Sequence, residues 1–185
     1  DATKAEALGG VIGAETTGGT AATVDVFVEA ATFDPVRTAM TGRKLNILSD
    51  ARYRFERGVD PAFLVDGMEI ATRLILDLCG GEPSELVIAG AEPDWKRDIT
   101  LRVGRVETYG GVKVGKKKII EILSALGFEA AEKKKDVLNV SVPSWRPDIV
   151  GEACLVEEVV RILGYDNIPA VPMESHGLPH PALNA

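Results

Sequence analysis

Acidic side chains near the end of the chain have types and a spacing that suit a divalent metal ion. Asp148 precedes a helical pattern, and Glu157 and Glu158 are adjacent within it. Mg²⁺ prefers carboxylate oxygens, usually takes few of them, and keeps several waters. The same residues also fit a solvated surface, with Asp148 capping the helix and Glu157 pairing with Arg161 one turn later. The spacing leaves both interpretations open.

Two lysine triplets, Lys116–Lys118 and Lys133–Lys135, have the chemistry to contact a phosphate backbone. Nearby acids such as Glu121 and Glu132 dilute that positive charge, so solubilising surface charge is the alternative. The net charge of −7 for the whole chain argues against strong non-specific binding of nucleic acid. It does not exclude a local basic patch.

A dense charged stretch, Ser49–Pro61, contains three arginines and two aromatic residues before a glycine and a proline. Half-buried arginines need partners and fix the backbone around them, so the stretch either orients a site or forms a surface lattice of ion pairs. Leu8–Thr23 is rich in glycine and lacks the lysine of a P-loop. It predicts either a simple turn or one wall of a small-molecule pocket.

Other kinds of site find little support in the composition. The two histidines, His176 and His180, lie in a proline-rich tail, so no catalytic triad can be proposed. Cys79 and Cys154 have neither the number nor the spacing of a disulfide framework or a zinc site. No apolar run approaches the roughly 20 residues that span a bilayer. The 185-residue chain has no initiator Met, which predicts a piece of a longer protein.

The elements that position these residues fall into two groups separated by the polar stretch 90–98. In the first group, alternation predicts strands, and capping signals predict helices that begin at Asp-Pro pairs. The predicted strands are Val24–Ala30, Arg52–Phe55 and Glu85–Ala89, and the predicted helices are Thr32–Leu45, beginning at Asp34-Pro35, and Pro61–Cys79.

The second group predicts a small helical unit with a hairpin. Apolar periodicity places Ile119 and Leu123 on the inner face of a helix that ends before Gly127. The predicted elements are a strand at Ile99–Val103, helices at Gly104–Tyr109, Lys116–Leu126 and Asp148–Leu163, and a hairpin of Phe128–Ala131 with Val137–Val142.

Two motifs together resemble the bacterial phenylalanyl-tRNA synthetase beta chain. One is S-D-A-R-Y-R-F-E-R-G-V-D-P at 49–61, followed by a helix that ends L-C-G-G. The other is S-W-R-P-D-I at 144–149, followed by L-V-E-E-V-V-R-I-L-G-Y at 155–165. Their order and spacing match the family as well, and the resemblance extends to about Pro172.

The resemblance implies an α+β fragment with two modules. Residues 1–93 resemble the C-terminal part of the editing domain, which has a mixed sheet. Residues 94–172 resemble the fifth beta-chain module, a small three-helix, winged-helix-like unit with a short hairpin. Residues 173–185 would be a linker or tail.

The function implied is that of a cytoplasmic α₂β₂ ligase that attaches phenylalanine to tRNA(Phe) with ATP and Mg²⁺. The alpha subunit would bind most of the ATP and phenylalanine, so this segment would not perform aminoacylation. It would contribute to the hydrolysis of tRNA(Phe) mischarged with tyrosine. An independent nucleic-acid-binding module is one alternative, and a scaffold with a large exposed apolar patch is another.

The resemblance assigns an editing pocket to Gly13, Glu29, Ser49 and Ala51. Glu29 matches the acid that recognises the tyrosine hydroxyl. A carboxylate acceptor suits that role, because phenylalanine would leave it buried and unpaired. Ala14 replaces a glycine that is common in the family's loop.

The resemblance also assigns Mg²⁺ ligation to Asp148, Glu157 and Glu158. Cys154 stands where some members of the family have an aspartate. A thiolate suits softer metals, so this difference removes one hard oxygen ligand. We therefore expect weak Mg²⁺ binding by this chain alone.

Overall fold

A computed structural model describes residues 3–172 of the chain, and the predicted tail at 173–185 lies outside them. Six α-helices and two small antiparallel sheets occur in this part of the chain, which confirms the predicted α+β class. Backbone contacts divide it into two units. The first comprises residues 3–98 together with 141–150, and the second comprises 99–140 and 151–172. No helix among the described residues is long and apolar enough to cross a membrane.

The first helix of the first unit, α1 (Pro35–Leu45), begins where the sequence predicts. The Asp34 carboxylate accepts a hydrogen bond of 2.7 Å from the backbone N–H of Arg37, and Pro35 occupies the first helical position. Asn46 adopts the left-handed conformation with φ 54° and ends the helix.

The next element is a helix, α2 (Asp50–Phe55), so the strand predicted at Arg52–Phe55 is wrong. The Ser49 hydroxyl accepts from the backbone N–H of Arg52 at 3.1 Å, which is an N-cap that the alternating pattern concealed. A strand would place Arg52 and Arg54 on one face. Instead Arg52 is buried and Arg54 is exposed, as expected for helical periodicity.

The long helix predicted from Pro61 is confirmed, with a tighter first turn than expected. Pro61–Phe63 forms a 3₁₀ turn, and α3 follows at Leu64–Cys79. The Asp60 carboxylate accepts from the N–H of Ala62 at 3.0 Å, and the helix ends at Gly80, whose φ of 71° favours glycine.

The strands predicted at Val24–Ala30 and Glu85–Ala89 are wrong, because both segments are irregular in the structure. Their apolar side chains are exposed, by 94% for Phe27 and 85% for Val87. A strand exists only through its pairing, and neither segment finds a neighbour in the described part of the chain. The only sheet described within residues 3–97 is the two-residue pair β1 (Ala7–Leu8) and β2 (Ile12–Gly13). The predicted mixed sheet is therefore not found in this region.

The second unit is built on a three-stranded sheet, in which the predicted strand pairs with the predicted hairpin. The strands lie in the order β3 (Asp98–Arg102), β5 (Val137–Ser141) and β4 (Glu129–Lys134). The N–H of Val103 donates to the carbonyl of Asp136 at 3.0 Å where β5 begins beside the end of β3. Asp136 takes a left-handed φ of 58° in the hairpin turn, a conformation that short polar residues tolerate.

Three helices, α4 (Val103–Gly110), α5 (Lys116–Ala125) and α6 (Glu152–Leu163), complete the unit. Helix α6 begins at Glu152 with Gly151 as its N-cap, so the predicted start and cap at Asp148 are wrong. Gly164 ends it as predicted, with φ 93°. The three helices and the hairpin agree with the predicted content, while a winged-helix arrangement stays a prediction.

The apolar core of the second unit joins its helices to its sheet. A Cβ on Gly110 would lie 2.7 Å from a methyl group of Val160, so glycine allows α4 to approach α6 closely. Ile119 and Leu123 are buried on α5 as predicted, and Ile122 joins them. The other buried apolar residues of this core are Ile99, Leu101, Val106, Phe128, Leu138, Val140, Leu155, Val156, Val159 and Val160.

Candidate functional site

Ser49 links the glycine-rich segment to the start of α2. Its hydroxyl donates a short hydrogen bond to the carbonyl of Val11 and accepts one from the N–H of Arg52. Val11 is the buried residue of the glycine-rich segment, with 1% of its surface exposed. One small side chain therefore fixes the position of a loop relative to a helix, and both regions contain residues that the resemblance assigns to an editing pocket.

Arg52 is the buried centre of this junction. Its Nε donates to a carboxylate oxygen of Glu56 at 3.0 Å, and a terminal nitrogen donates to the carbonyl of Ile47 at 2.7 Å. A Cβ on Gly42 of α1 would lie 2.3 Å from the Cδ and Nε of Arg52. The absent side chain of Gly42 thus makes room for the guanidinium, and Glu56 supplies the negative charge that a buried arginine requires.

Arg57 and Tyr53 extend the charged network toward solvent. Arg57 donates to the carbonyl of Tyr53 at 2.7 Å and to the second oxygen of Glu56 at 3.2 Å. Its guanidinium carbon lies 3.7 Å from the centroid of the Tyr53 ring, which is a cation–π contact. Two arginines share the Glu56 carboxylate, so the network holds both the backbone and an aromatic ring in place.

A shallow concavity of about 360 Å³ lies over this network. Its floor includes the buried Arg52, and its open rim includes Leu48, which is 87% exposed. The Arg52 guanidinium is already bonded to protein oxygens, so the polar groups that the concavity offers are the carboxylates of Asp50 and Glu56 and the hydroxyls of Ser49 and Tyr53. The lining residues are Leu48, Ser49, Asp50, Arg52, Tyr53 and Glu56.

The four predicted pocket residues lie in different settings, and only Ser49 lines the concavity. Gly13 lies on β2 and is exposed, with no atom within 4 Å of the place where a Cβ would sit. Glu29 is exposed on the irregular segment, and Ala51 is half-buried in the first turn of α2. A shared pocket of Glu29, Gly13 and Ala51 therefore stays a prediction.

The glycine-rich segment packs closely against Phe33, as its glycines allow. A Cβ on Gly9 would lie 2.7 Å from the Phe33 ring, and one on Gly10 would lie 3.0 Å from it. Phe33 also packs edge-on against Phe55, with ring centroids 5.0 Å apart. Sequence reasoning missed the Arg52–Glu56 pair, although its i,i+4 spacing would have indicated it once the stretch was taken as a helix.

Asp148, the first predicted metal ligand, is held by an arginine. Arg146 donates two hydrogen bonds to its carboxylate, at 2.8 and 2.7 Å. This pairing holds the pKa of Asp148 below its ordinary value, despite an opposing effect of partial burial. Arg97 donates to the carbonyls of Pro147 and Arg146, at 3.2 and 3.1 Å, and so fixes the same turn.

Glu157 and Glu158, the other predicted ligands, point to different surroundings on α6. Glu158 is buried and accepts a 2.6 Å hydrogen bond from Arg161, whereas Glu157 is exposed. The predicted common solvated arc is therefore wrong for Glu158. No group of three metal-ligating side chains occurs in residues 3–172. The Mg²⁺ site at Asp148, Glu157 and Glu158 stays a prediction.

A second arginine–carboxylate pair, unpredicted by the sequence, joins β3 to α6. Glu152 accepts from the backbone N–H of Arg102 at 2.8 Å and from its guanidinium at 3.0 and 2.5 Å. These hydrogen bonds lower the pKa of Glu152 and raise that of Arg102. The two residues lie 50 positions apart, so no local pattern could have indicated the pair.

Comparison with known proteins assigns each region to a family. Residues 1–80 match the B3/4 domain, and residues 99–165 match the tRNA synthetase B5 domain. The second match covers the three-stranded sheet and all three helices α4 to α6. The first match covers the glycine-rich segment and the Ser49–Arg52 junction.

Curated relatives extend the match over almost the whole chain. The phenylalanine–tRNA ligase beta subunit of Paramagnetospirillum magneticum is 62% identical over 96% of this chain, and that of Rhodospirillum rubrum is 53% identical over 96%. The beta subunit of Mesorhizobium japonicum is 48% identical over 92%. The chain spans 21–22% of the length of these relatives. It belongs to the phenylalanine–tRNA ligase beta subunit family and corresponds to a segment containing its B3/4 and B5 domains.

Proposed function

We propose that this chain is part of a beta subunit that works with an alpha subunit, as an α₂β₂ ligase, to charge tRNA(Phe) with phenylalanine. ATP and phenylalanine bind mainly to the alpha subunit, and the enzyme acts in the cytoplasm. Residues 1–93 contribute to an editing domain, and residues 94–172 form a structural module. The chain itself does not perform aminoacylation. The proposal is supported by relatives of high identity that are named as this subunit.

The editing role is the specific part of the proposal, and the hydroxyl of Ser49 is the observation that supports it. Ser49 bonds to both Val11 and Arg52 and also lines the concavity. An editing pocket needs small side chains on rigid supports, because a loose wall could not discriminate substrates that differ by one hydroxyl. The buried Arg52–Glu56 pair provides that rigidity.

Glu29 supplies discrimination in this proposal. Its carboxylate accepts a hydrogen bond from the tyrosine hydroxyl, and phenylalanine has no group to offer in its place. Since the side chain is exposed here, the role requires that substrate or other parts of the subunit cover it. A hydrogen-bonded site can reject an analogue that lacks the hydroxyl by a factor on the order of 10⁴.

The test uses a full-length beta subunit carrying Glu29→Ala, assembled with its alpha subunit. Deacylation of tyrosyl-tRNA(Phe) is expected to slow strongly, with phenylalanyl-tRNA(Phe) charging unchanged. Asp25→Ala is the matched control, because Asp25 is an exposed acid on the same segment. If both variants deacylate tyrosyl-tRNA(Phe) at the wild-type rate, Glu29 is not part of the editing site.

A Mg²⁺ site at Asp148, Glu157 and Glu158 is the less favoured part of the proposal. Two of the three carboxylates already bind arginines, and Cys154 offers sulfur rather than oxygen. Calorimetric titration of the 185-residue chain with Mg²⁺ is therefore expected to show weak binding or none. Tight Mg²⁺ binding that Asp148→Asn abolishes would show that the metal displaces the arginines from these carboxylates.

A scaffold role is the second candidate, and the exposed stripe of α3 favours it. Ile70, Leu74 and Leu78 are 55%, 57% and 76% exposed and repeat every four residues on one face. Such stripes mark interaction surfaces. In the full-length beta subunit, Leu74→Asp is expected to reduce co-purification of the alpha subunit, and Arg73→Asp is the control on the neighbouring face. Unchanged co-purification in both would exclude this surface from subunit assembly.

A further inference from the structure

A glycine is buried within helix α1, although glycine weakens a helix interior relative to alanine. A Cβ on Gly42 would lie 2.3 Å from Cδ and Nε of Arg52 and 2.8 Å from its Cζ, closer than carbon atoms approach without displacement. Arg52 is itself buried, so its side chain has no free space into which it could move aside. Gly42 therefore allows the guanidinium of α2 to pack directly against α1.

The guanidinium also closes the connection between α1 and α2. The N–H of Ile47 donates to the carbonyl of Gly42 at 3.0 Å, and the carbonyl of Ile47 accepts from a terminal nitrogen of Arg52 at 2.7 Å. The peptide groups of Ile47 are thus held by α1 on one side and by α2 on the other. Glu56 accepts from Nε of Arg52 at 3.0 Å, which fixes the plane of the guanidinium and balances its charge.

Two of the predicted editing residues lie next to these bonds. Ser49 follows Ile47 by two positions, and Ala51 directly precedes Arg52. The Ser49 hydroxyl accepts from the N–H of Arg52 and donates to the carbonyl of Val11 in the glycine-rich segment. A shift of Arg52 would therefore move the backbone of both residues and would also alter the attachment of the glycine-rich segment.

We propose that Gly42 and Arg52 are positioning residues for the discrimination of tyrosine from phenylalanine, an inference that rests on the proposed editing function. They act through Ser49 and Ala51 and do not contact the substrate. A site that distinguishes two substrates by one hydroxyl needs its walls held to within about 0.5 Å. A planar guanidinium holds two acceptors in fixed directions, whereas a lysine ammonium on its flexible stem does not.

The ratio of two deacylation rates separates positioning from a general loss of stability. The substrates are tyrosyl-tRNA(Phe) and phenylalanyl-tRNA(Phe). A smaller fraction of folded enzyme lowers both rates by the same factor and leaves their ratio unchanged. A displaced pocket wall lowers the ratio, because only the hydrolysis of the tyrosyl ester gains from a contact with the hydroxyl.

The test uses the full-length beta subunit, assembled with its alpha subunit, in separate variants Arg52→Lys and Gly42→Ala. Both are expected to lower the tyrosyl-to-phenylalanyl ratio at least about tenfold, since a misplacement of about 1 Å can cost about 10²-fold in rate. The controls are Arg54→Lys, at an exposed arginine of α2, and Gly67→Ala in α3. A Cβ on Gly67 would lie 3.4 Å from the Phe63 ring, an ordinary contact, so both controls are expected to keep the wild-type ratio.

The outcomes distinguish this inference from the function on which it rests. If wild type deacylates tyrosyl-tRNA(Phe) and both Arg52→Lys and Gly42→Ala keep its ratio, the positioning role is overturned while the editing function stands. Equal falls in the two controls would overturn it as well. If wild type does not deacylate tyrosyl-tRNA(Phe), the editing function fails and the inference fails with it. Circular dichroism of each variant confirms that it is folded.

Discussion

The two units differ sharply in how they bury apolar surface. In the second unit, side chains from three helices and three strands meet in one continuous core, and Leu101, Val106 and Leu155 are fully buried. In the first unit, the buried apolar side chains other than proline are only Val11, Val142 and Ile149 among the described residues, and the buried polar ones are Thr38, Arg52 and Ser144. The first unit is therefore organised largely by hydrogen bonds and an ion pair, and the second by apolar packing.

This difference shows that similar sequence patterns in the two units lead to different extents of apolar burial and strand pairing. Both units contain amphipathic helices and alternating strand patterns. In the second unit most apolar side chains of α5 and α6 are buried in the core, whereas α3 keeps a stripe of exposed apolar residues and Phe27 remains 94% exposed. Burial of apolar area is the main favourable term in folding, so stability should be concentrated in the second unit.

The largest expected effect is a contrast in amide hydrogen exchange along the chain. Segments 24–30 and 85–89 have no regular backbone pairing in the structure, so their amides should exchange at nearly the rates of an unfolded peptide. Amides of β5 should be protected by a factor of about 10³ or more. Exchange measured by mass spectrometry checks both. Strong protection of 24–30 would show that this segment pairs in solution and would weaken the contrast.

The next effect compares two leucines on helices. Leu155→Ala in α6 removes a fully buried side chain and should lower the free energy of unfolding by about 2–5 kcal/mol. Leu74→Ala in α3 removes one that is 57% exposed and should change it by about 0.5 kcal/mol or less. Urea unfolding of the 185-residue chain measures both. Similar losses would mean that α3 is packed in solution.

A smaller effect tests the hydrogen-bonded junction of the first unit. Ser49→Ala removes the N-cap of α2 and the bond to Val11, and should cost about 0.5–2 kcal/mol of local stability. Hydrogen exchange of the Arg52 amide should accelerate accordingly. Ser84→Ala is the control, since Ser84 bonds only to the neighbouring residue in an irregular segment. No acceleration in Ser49→Ala would show that the arginine network alone holds the junction.

The smallest effect is the pH dependence of the Arg102–Glu152 pair. The pKa of Glu152 is lower in the folded chain, so its contribution to stability is present above the ordinary value of about 4.5. It is lost as the pH falls through the lower, folded pKa. Glu152→Gln should therefore flatten the stability curve in that acidic range and leave the basic side unchanged. An identical pH curve for the variant and the wild type would show that the pair contributes no net stability.

The sequence by itself determined the elements whose signals are local. Asp34-Pro35 and Asp60-Pro61 fixed helix starts, Gly80 and Gly164 fixed helix ends, and the motif at 49–61 indicated the family. The capping and the termination of a helix depend on a few neighbouring residues, so they can be predicted without the rest of the fold.

Only the tertiary structure decided which patterns become structure and which charges meet. Arg52–Phe55 alternates like a strand, but the cap at Ser49 and the space beside Gly42 make it a helix with a buried arginine. Val24–Ala30 alternates in the same way and forms no strand, because pairing requires a neighbour that the pattern does not specify. The Arg102–Glu152 pair also depends on the folded geometry. Its two residues are 50 positions apart, and a contact between residues so distant in sequence produces no local pattern from which it could be predicted.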